Sequence, residues 1–267
     1  MKTKVIFLFL AILLSVGCGK KKSEGYSIGV DASWYPLELA GKENNVLVFS
    51  IELLTEISKR EKISLSVTDI NWDSLLWGLR AHNYDAVLSS MQPYNFYEKL
   101  YSFSKLYLMT GPALVTRKES EMHTLGDLQD QEIAVVRGSS AALFLQRYPG
   151  IIIRPYATVP DALSALEAMI VDGAAIEILI AQSYVSDLFQ NELKIASGPL
   201  TDQGLRMVTL KKMDPKLIQA FDRGLKAMIK DGSYDKLMMK WGLSPKSPQE
   251  TAALDAAIHT FLQNHRY

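Results

Sequence analysis

The chain has 267 residues, 48% of them hydrophobic and 22% charged, with 16 Gly and 10 Pro; that is enough apolar material for one large or two small folded domains, and it excludes a disordered or collagen-like polymer. Lys plus Arg balances Asp plus Glu at 29 each, which argues against a nucleic-acid partner held by broad phosphate neutralisation. The lone cysteine, Cys18, excludes an intramolecular disulfide and any metal site built from several thiolates.

At the N-terminus, Lys2 and Lys4 precede a nearly unbroken apolar run from Val5 to Val16, which ends in Gly17-Cys18. This is the pattern of an export signal, too short for a membrane-spanning helix of about 20 apolar residues. The small residue before Cys18 resembles the lipobox of bacterial lipoproteins, with Ser15 where that pattern usually has Leu. The resemblance implies a signal peptide over 1–18 and a lipid on Cys18; ordinary signal-peptidase cleavage and an uncleaved anchor are the alternatives. Residues 19–25, GKKKSEG, then form a polar tether.

Short β-like runs alternate with helical patterns through the body of the chain. Strands are predicted at Tyr26–Val30, Ile63–Thr68, Tyr84–Leu88, Ile133–Arg137 and Ala174–Leu179. Leu47, Ile51, Leu54 and Ile57 or Ser58 fall on one helical face, and so do Leu217, Phe221, Leu225 and Met228. Both stripes read as core. The alternation predicts α/β units with mainly parallel sheets. Beyond Gly242, Ser244-Pro245-Lys246-Ser247-Pro248 reads as a linker, and Leu254, Ile258, Phe261 and Leu262 as one more amphipathic helix. It docks as a cap on its own domain or serves as a partner-binding tail.

His82, His123, His259 and His265 are dispersed, with none in a ligand-pair spacing. No metal site and no cofactor are expected, and Walker and dinucleotide fingerprints are missing from the sequence. Gly138-Ser139-Ser140 follows a predicted strand and opens a helical stretch, without the flanking glycines of a nucleophile elbow. Such a turn either cradles an anion on its backbone amides or caps its own helix with a serine.

Several segments in order resemble the polar amino-acid family of bacterial solute-binding proteins, the extracytoplasmic receptors of ABC importers. Gly29-Val30-Asp31-Ala32-Ser33-Trp34-Tyr35-Pro36-Leu37-Glu38 is similar to the family's opening GTDATYPPFE. Trp72-Asp73-Ser74-Leu75-Leu76 resembles its W-D-x-L-L helix, Asp85 to Met91 its D-A-x-x-x-x-M strand, and Phe103 to Tyr107 its F-S-x-P-Y. Leu125 to Leu128, Ile133 to Ser140, Ala162 to Leu166, and Asp231 through Gly242 complete the register. The resemblance implies an α/β fold of the type II periplasmic binding protein kind, with two lobes joined by two hinge crossings. The implied lobes are 26–110 with the return 203–243, and 111–202; the hinges fall near Met109–Thr116 and Asp202–Val208, and 244–267 follows as linker and helix.

The same resemblance implies a ligand site. Trp34 matches an aromatic that stacks on the ligand and Trp72 a second wall, whereas Trp77 competes as an ordinary core residue. Asp31 matches a contact to the ligand side chain, and Ser89 and Ser90 match holders of the α-amino group. Gly138, Ser139 and Ser140 match the loop that receives the α-carboxylate, and Glu177 stands where the family places the Asp that meets the ammonium. The family's carboxylate-binding arginine is replaced: in Gln92-Pro93-Tyr94-Asn95-Phe96-Tyr97, Tyr97 holds its position and Gln92 joins the candidate set. A tyrosine hydroxyl donates one hydrogen bond where a guanidinium offers a charged fork. Arg137, next to Gly138, is a candidate to restore that charge. The function implied is a monomeric, lipid-anchored receptor in the periplasm or at the cell surface, which delivers a small polar solute to an ABC permease. Two alternatives use the same fold: a cyclohexadienyl-dehydratase-like enzyme working through Glu177, and a surface protein whose cleft is filled by Tyr94 to Tyr97.

Overall fold

The computed structural model describes residues 25–244 apart from Ala40, Gln190, Lys212 and Asp214. The expected signal, the lipid site at Cys18 and the helix around Leu254 lie outside the described residues.

β1 (Gly25–Val30) pairs in parallel with β2 (Ser64–Asp69) on one side and β3 (Ala86–Ser89) on the other. Parallel neighbours need crossover connections, which are supplied by α1 (Glu43–Glu61) and α2 (Trp72–Arg80). Asn71 caps α2, its side chain accepting from the Ser74 amide at 2.9 Å. The chain continues through α3 (Asn95–Glu98), β4 (Tyr101–Phe103) and β5 (Leu108–Met109) before leaving this sheet.

β6 (Pro112–Arg117) opens a second sheet, followed by β7 (Glu132–Val136), α4 (Ser140–Leu145), β8 (Ile152–Tyr156), α5 (Val159–Glu167), β9 (Gly173–Glu177), α6 (Ile178–Asp187) and β10 (Leu193–Pro199). Its order is β10-β6-β9-β7-β8. The chain then returns as β11 (Gly204–Leu210), which enters the first sheet between β3 and β4 and also pairs with β5. α7 (Lys216–Lys230) and α8 (Ser233–Lys240) complete that lobe. The two anticipated stripes meet in one core: Leu54 and Ile57 of α1 pack in the same cluster as Leu217, Phe221, Leu225 and Met228 of α7. Among the described residues no helix is long and apolar enough to cross a membrane.

The expectation of mainly parallel sheets needs correction. The parallel pairs β1–β2, β1–β3, β7–β8 and β7–β9 are matched by antiparallel pairs at β3–β11, β4–β11, β5–β11, β6–β9 and β6–β10. The cause is the double crossing, since a strand arriving from the other lobe enters its sheet in the reverse direction. The predicted strand at Ala174–Leu179 stops at Glu177, because Ile178 and Leu179 turn into α6.

The expected hinge ranges contain both strand-paired residues and the short crossings themselves. Pro112–Thr116 is paired within β6 and Gly204–Val208 within β11, so only 110–111 and 200–203 run between sheets. The two crossings are tied together: the Thr110 and Gly111 amides donate to the Gln203 carbonyl at 2.9 and 3.2 Å, and the Leu200 amide to the Pro112 carbonyl at 2.7 Å. Gly204 is required where they meet, because a Cβ there would run into the Leu108 carbonyl and the Met109 backbone.

Candidate functional site

In an open α/β sheet, polar groups just past the carboxyl ends of the parallel strands are the natural ligand-facing set. Asp31 follows the last residue of β1. Its carboxylate is buried and organises the next turn, accepting from the Ser33 amide (Oδ1, 3.0 Å) and the Ser33 hydroxyl (Oδ2, 2.7 Å). Trp34 then takes a left-handed backbone (φ 56°), and a cis Tyr35-Pro36 bond follows.

This turn decides which aromatic faces the cleft. Trp34 is only 3% exposed and belongs to the α1/α7 core, with its indole N–H donated to the Glu43 carbonyl at 3.1 Å. The expectation that it offers an open stacking face is corrected: it lines the concavity from beneath, and its neighbour Tyr35, 58% exposed, turns outward. Tyr35 meets Trp72, the first residue of α2, edge to face at 5.2 Å and 67°. Trp77 is exposed rather than core.

Asp31, Trp34, Tyr35, Trp72, Leu75, Leu88, Ser89 and Ser90 line a shallow concavity open to solvent. The Ser89 hydroxyl is buried and accepts from the Met91 amide at 3.1 Å. Five of the expected residues thus come together on the first lobe. Gln92 and Tyr97 do not join them. The Gln92 amide nitrogen lies 3.5 Å from the Ser90 carbonyl. Tyr97 packs on Phe96 (4.2 Å between centroids) and edge-on to Tyr101 (6.2 Å) against the α2-side core. Tyr97 is partly buried by this packing and lines no part of the concavity. Tyr94 and Phe96 are exposed and line no part of the concavity, so the aromatic stretch does not fill it.

On the second lobe the turn after β7 passes through Gly138 at φ +78°, where a side chain would be strained. Ser139 is the helix cap, its hydroxyl accepting from the Ala142 amide at 3.2 Å. The first turn of α4 does receive an anion, and that anion is the protein's own Glu177. The Ser140 hydroxyl donates to Oε1 at 2.7 Å and the Ala141 amide to the same oxygen at 3.3 Å. Glu177 is 8% exposed at the junction of β9 and α6; these neutral donors, not a cation, make its burial tolerable. Oε2 has no hydrogen-bond partner among the described residues. Arg137 is exposed, its amide donated to the Tyr156 carbonyl at 2.9 Å, and its guanidinium has no partner among the described residues. Among the same residues no cluster of three His, Cys, Asp or Glu could hold a metal.

Tyr35, Leu75 and Leu88 escaped the sequence reading. The Trp-Tyr-Pro run signalled an aromatic at this position, but only the left-handed turn at Trp34 shows which ring is presented.

Two α/β lobes, linked by a doubled crossing and carrying polar patches beyond their parallel strands, define a type II periplasmic binding protein fold. The sequence matches bacterial extracellular solute-binding proteins, family 3, over residues 26–244, and the chain belongs to that family, whose members are extracellular or periplasmic. It is 26% identical over 231 residues to the arginine-binding extracellular protein ArtP of Bacillus subtilis (strain 168), covering 84% of this chain and 87% of the relative. To the L-cystine-binding protein TcyJ of Escherichia coli (strain K12) it is 24% identical, covering 80% and 81%. Among solved structures, the unliganded open L-cystine solute receptor of Neisseria gonorrhoeae superposes with a TM-score of 0.64 at 17% identity, covering 85% of this chain and 95% of that one.

Proposed function

We propose that the protein is the substrate-binding component of an ABC importer, capturing an amino acid or a close derivative by closure of its two lobes. The observation that carries this reading is Glu177, a buried carboxylate with one oxygen held by α4 and the other free. A ligand ammonium is the partner such an oxygen lacks. The named relatives, which bind arginine and cystine, support the same class of solute.

In this reading Tyr35 and Trp72 flank the ligand's side chain, with Asp31 beside them, while Ser89 and Ser90 offer polar contacts. Gly138, Ser139 and Ser140 shape the second wall, and Arg137 stands exposed next to it without a part in holding the ligand. A ligand touching both lobes has higher affinity for the closed form and so shifts the population toward it, which the permease reads. No chemistry is required of the receptor. Residues 26–110 with 203–243, and 111–202, are the bodies that close. Export through 1–18 and a lipid on Cys18 hold the receptor outside the cytoplasm as a monomer; Cys18→Ala is expected to release it from membranes in a fractionation.

The test is calorimetry on purified protein, unfolded and refolded to strip bound solute, against the twenty amino acids and their carboxamides. Saturable binding with the titrant recovered unchanged supports a receptor. Folded protein that binds none of them would overturn the amino-acid reading, and conversion of the titrant would favour an enzyme acting through Glu177.

A further inference from the structure

Arg206 is a largely enclosed cation, its side chain 11% exposed, that the site described so far does not use. It is the direct antiparallel partner of Ser89 across β3 and β11. Directly opposed residues project from the same face of a sheet, with Cα atoms roughly 4.5–5.5 Å apart. That face is the α2 side, because Val208, two residues on, packs in one cluster with Val87 and Leu75. Ser89 and Leu75 line the concavity, so the Arg206 side chain starts one strand from its wall.

The strand around Arg206 is otherwise a core strand, with Leu205, Met207, Val208 and Thr209 all buried. The Arg206 guanidinium is poorly satisfied: Nε is buried with no partner. Nη1 lies 3.5 Å from the Ser104 carbonyl, and Nη2 lies 3.4 Å from the Asp202 carbonyl and 3.5 Å from Asp202 Oδ2. These are distances at the outer limit of a hydrogen bond, and the Asp202 side chain is 79% exposed, where pairing is weak. Burial lowers the Arg206 pKa from its ordinary value, and the Asp202 charge opposes the shift. Taking a charge out of water is expensive unless a good partner replaces the solvent. The loop that follows β3, Ser90 to Tyr97, carries no Lys or Arg, and the turn on the second lobe is engaged by Glu177.

We propose that Arg206 is the anion-specificity residue of the cleft, which exchanges its long contacts to Asp202 and Ser104 for a ligand carboxylate on Nε and one Nη. The inference rests on the amino-acid reading and gives it an orientation. The carboxylate end is held by the first lobe at Arg206 and the ammonium end by the second lobe at Glu177. A zwitterion then bridges the two lobes through both of its charges, and a ligand with only one of them closes the protein less well.

The experiment compares wild type, Arg206→Gln, Arg206→Lys and Arg137→Ala in calorimetry, using L-arginine, L-histidine and L-cystine and the carboxamide of each. Wild type is expected to prefer acid over amide by about tenfold to a hundredfold, the range for a charge-assisted pair. Arg206→Gln is expected to abolish that preference while leaving the amide affinity in place, Arg206→Lys to keep part of it, and Arg137→Ala to keep all of it. An undiminished acid preference in Arg206→Gln, or its loss in Arg137→Ala instead, would overturn the proposal. A second measurement needs no variant: the Arg206 Nε–H resonance of ¹⁵N-labelled wild type is followed during titration with sodium acetate alone. A saturable shift supports the anion site even if no amino acid binds, in which case only the amino-acid reading falls. An unmoved resonance overturns the site itself.

Discussion

Glu177 has two oxygens with different tasks, and a single substitution separates them. Glu177→Gln retains an acceptor for Ser140 and Ala141 but removes the charge offered to a ligand ammonium. It is expected to weaken binding by about 1.5–3 kcal/mol while shifting Tm by no more than a few degrees, as checked by calorimetry and thermal melts. The neighbouring aromatics at 34 and 35 separate the other way. Trp34→Ala empties a core position and is expected to cost roughly 3–5 kcal/mol of stability, whereas Tyr35→Ala leaves denaturant stability within about 0.5 kcal/mol and lowers ligand affinity. A shared effect of both on stability would show that Tyr35 is structural. A serine cap on α4 was one of the two readings open from the sequence, because a cap is a local signal; that the same turn holds Glu177, 37 residues further on, was not legible. Nor was the outward ring, since the backbone at Trp34 is left-handed, a conformation that no residue type there announces.

At the level of elements, the long amphipathic helices were the clearest, as α1 and α7 show: three turns or more repeat the same spacing. Three of the strands left unassigned have a local physical reason. β5 is a two-residue strand and β4 a three-residue one, too short for alternation to register. β8 contains Pro155, which argues against a central strand; it is tolerated because β8 is the edge of its sheet. Tyr84 shows how one side chain sets the angle of an element. Its hydroxyl lies 2.9 Å from the Ser74 carbonyl and 2.5 Å from that of Leu75, bracing the first turn of α2, which carries Trp72, against the strand that carries Ser89. Tyr84→Phe is expected to cost about 1 kcal/mol in chemical denaturation and to loosen the Trp72 wall, read as a weaker ligand affinity than the stability loss alone explains.

For the whole molecule, stability has an alkaline limb that can be placed in advance. The Tyr107 phenol is enclosed between α1 and α7, where it stacks on Phe49, meets Phe221 edge-on and pairs with the Ser50 hydroxyl at 3.0 Å. Burial pushes its pKa far above the ordinary tyrosine value, and burial does the same to Tyr234. The folded state therefore holds these protons more tightly than the unfolded chain. Stability from this source is fully present below about pH 10, the unfolded tyrosine value, and is lost as the pH rises beyond it. Tyr107→Phe is expected to flatten the fall in Tm between pH 9 and 11.5. At neutral pH it costs about 1 kcal/mol, because the buried Ser50 hydroxyl loses its partner.

The doubled crossing also sets an order of assembly. Everything in the second sheet, from β6 to β10, is contiguous in the chain, so a ribosome finishes that lobe before it releases β11. Among the described residues β4 and β5 pair with β11 alone. The first sheet therefore waits, with β3 as an open edge, until Gly204–Leu210 has been made. A chain truncated after Pro199 and released from the ribosome is expected to show slow amide exchange across β7 and β9 and fast exchange at β3 and β4; equal protection in both lobes would contradict this order. The strand that returns from the second lobe is thus also the point at which an exposed strand edge is sealed, and its synthesis marks the end of the interval in which the chain can pair with the wrong partner.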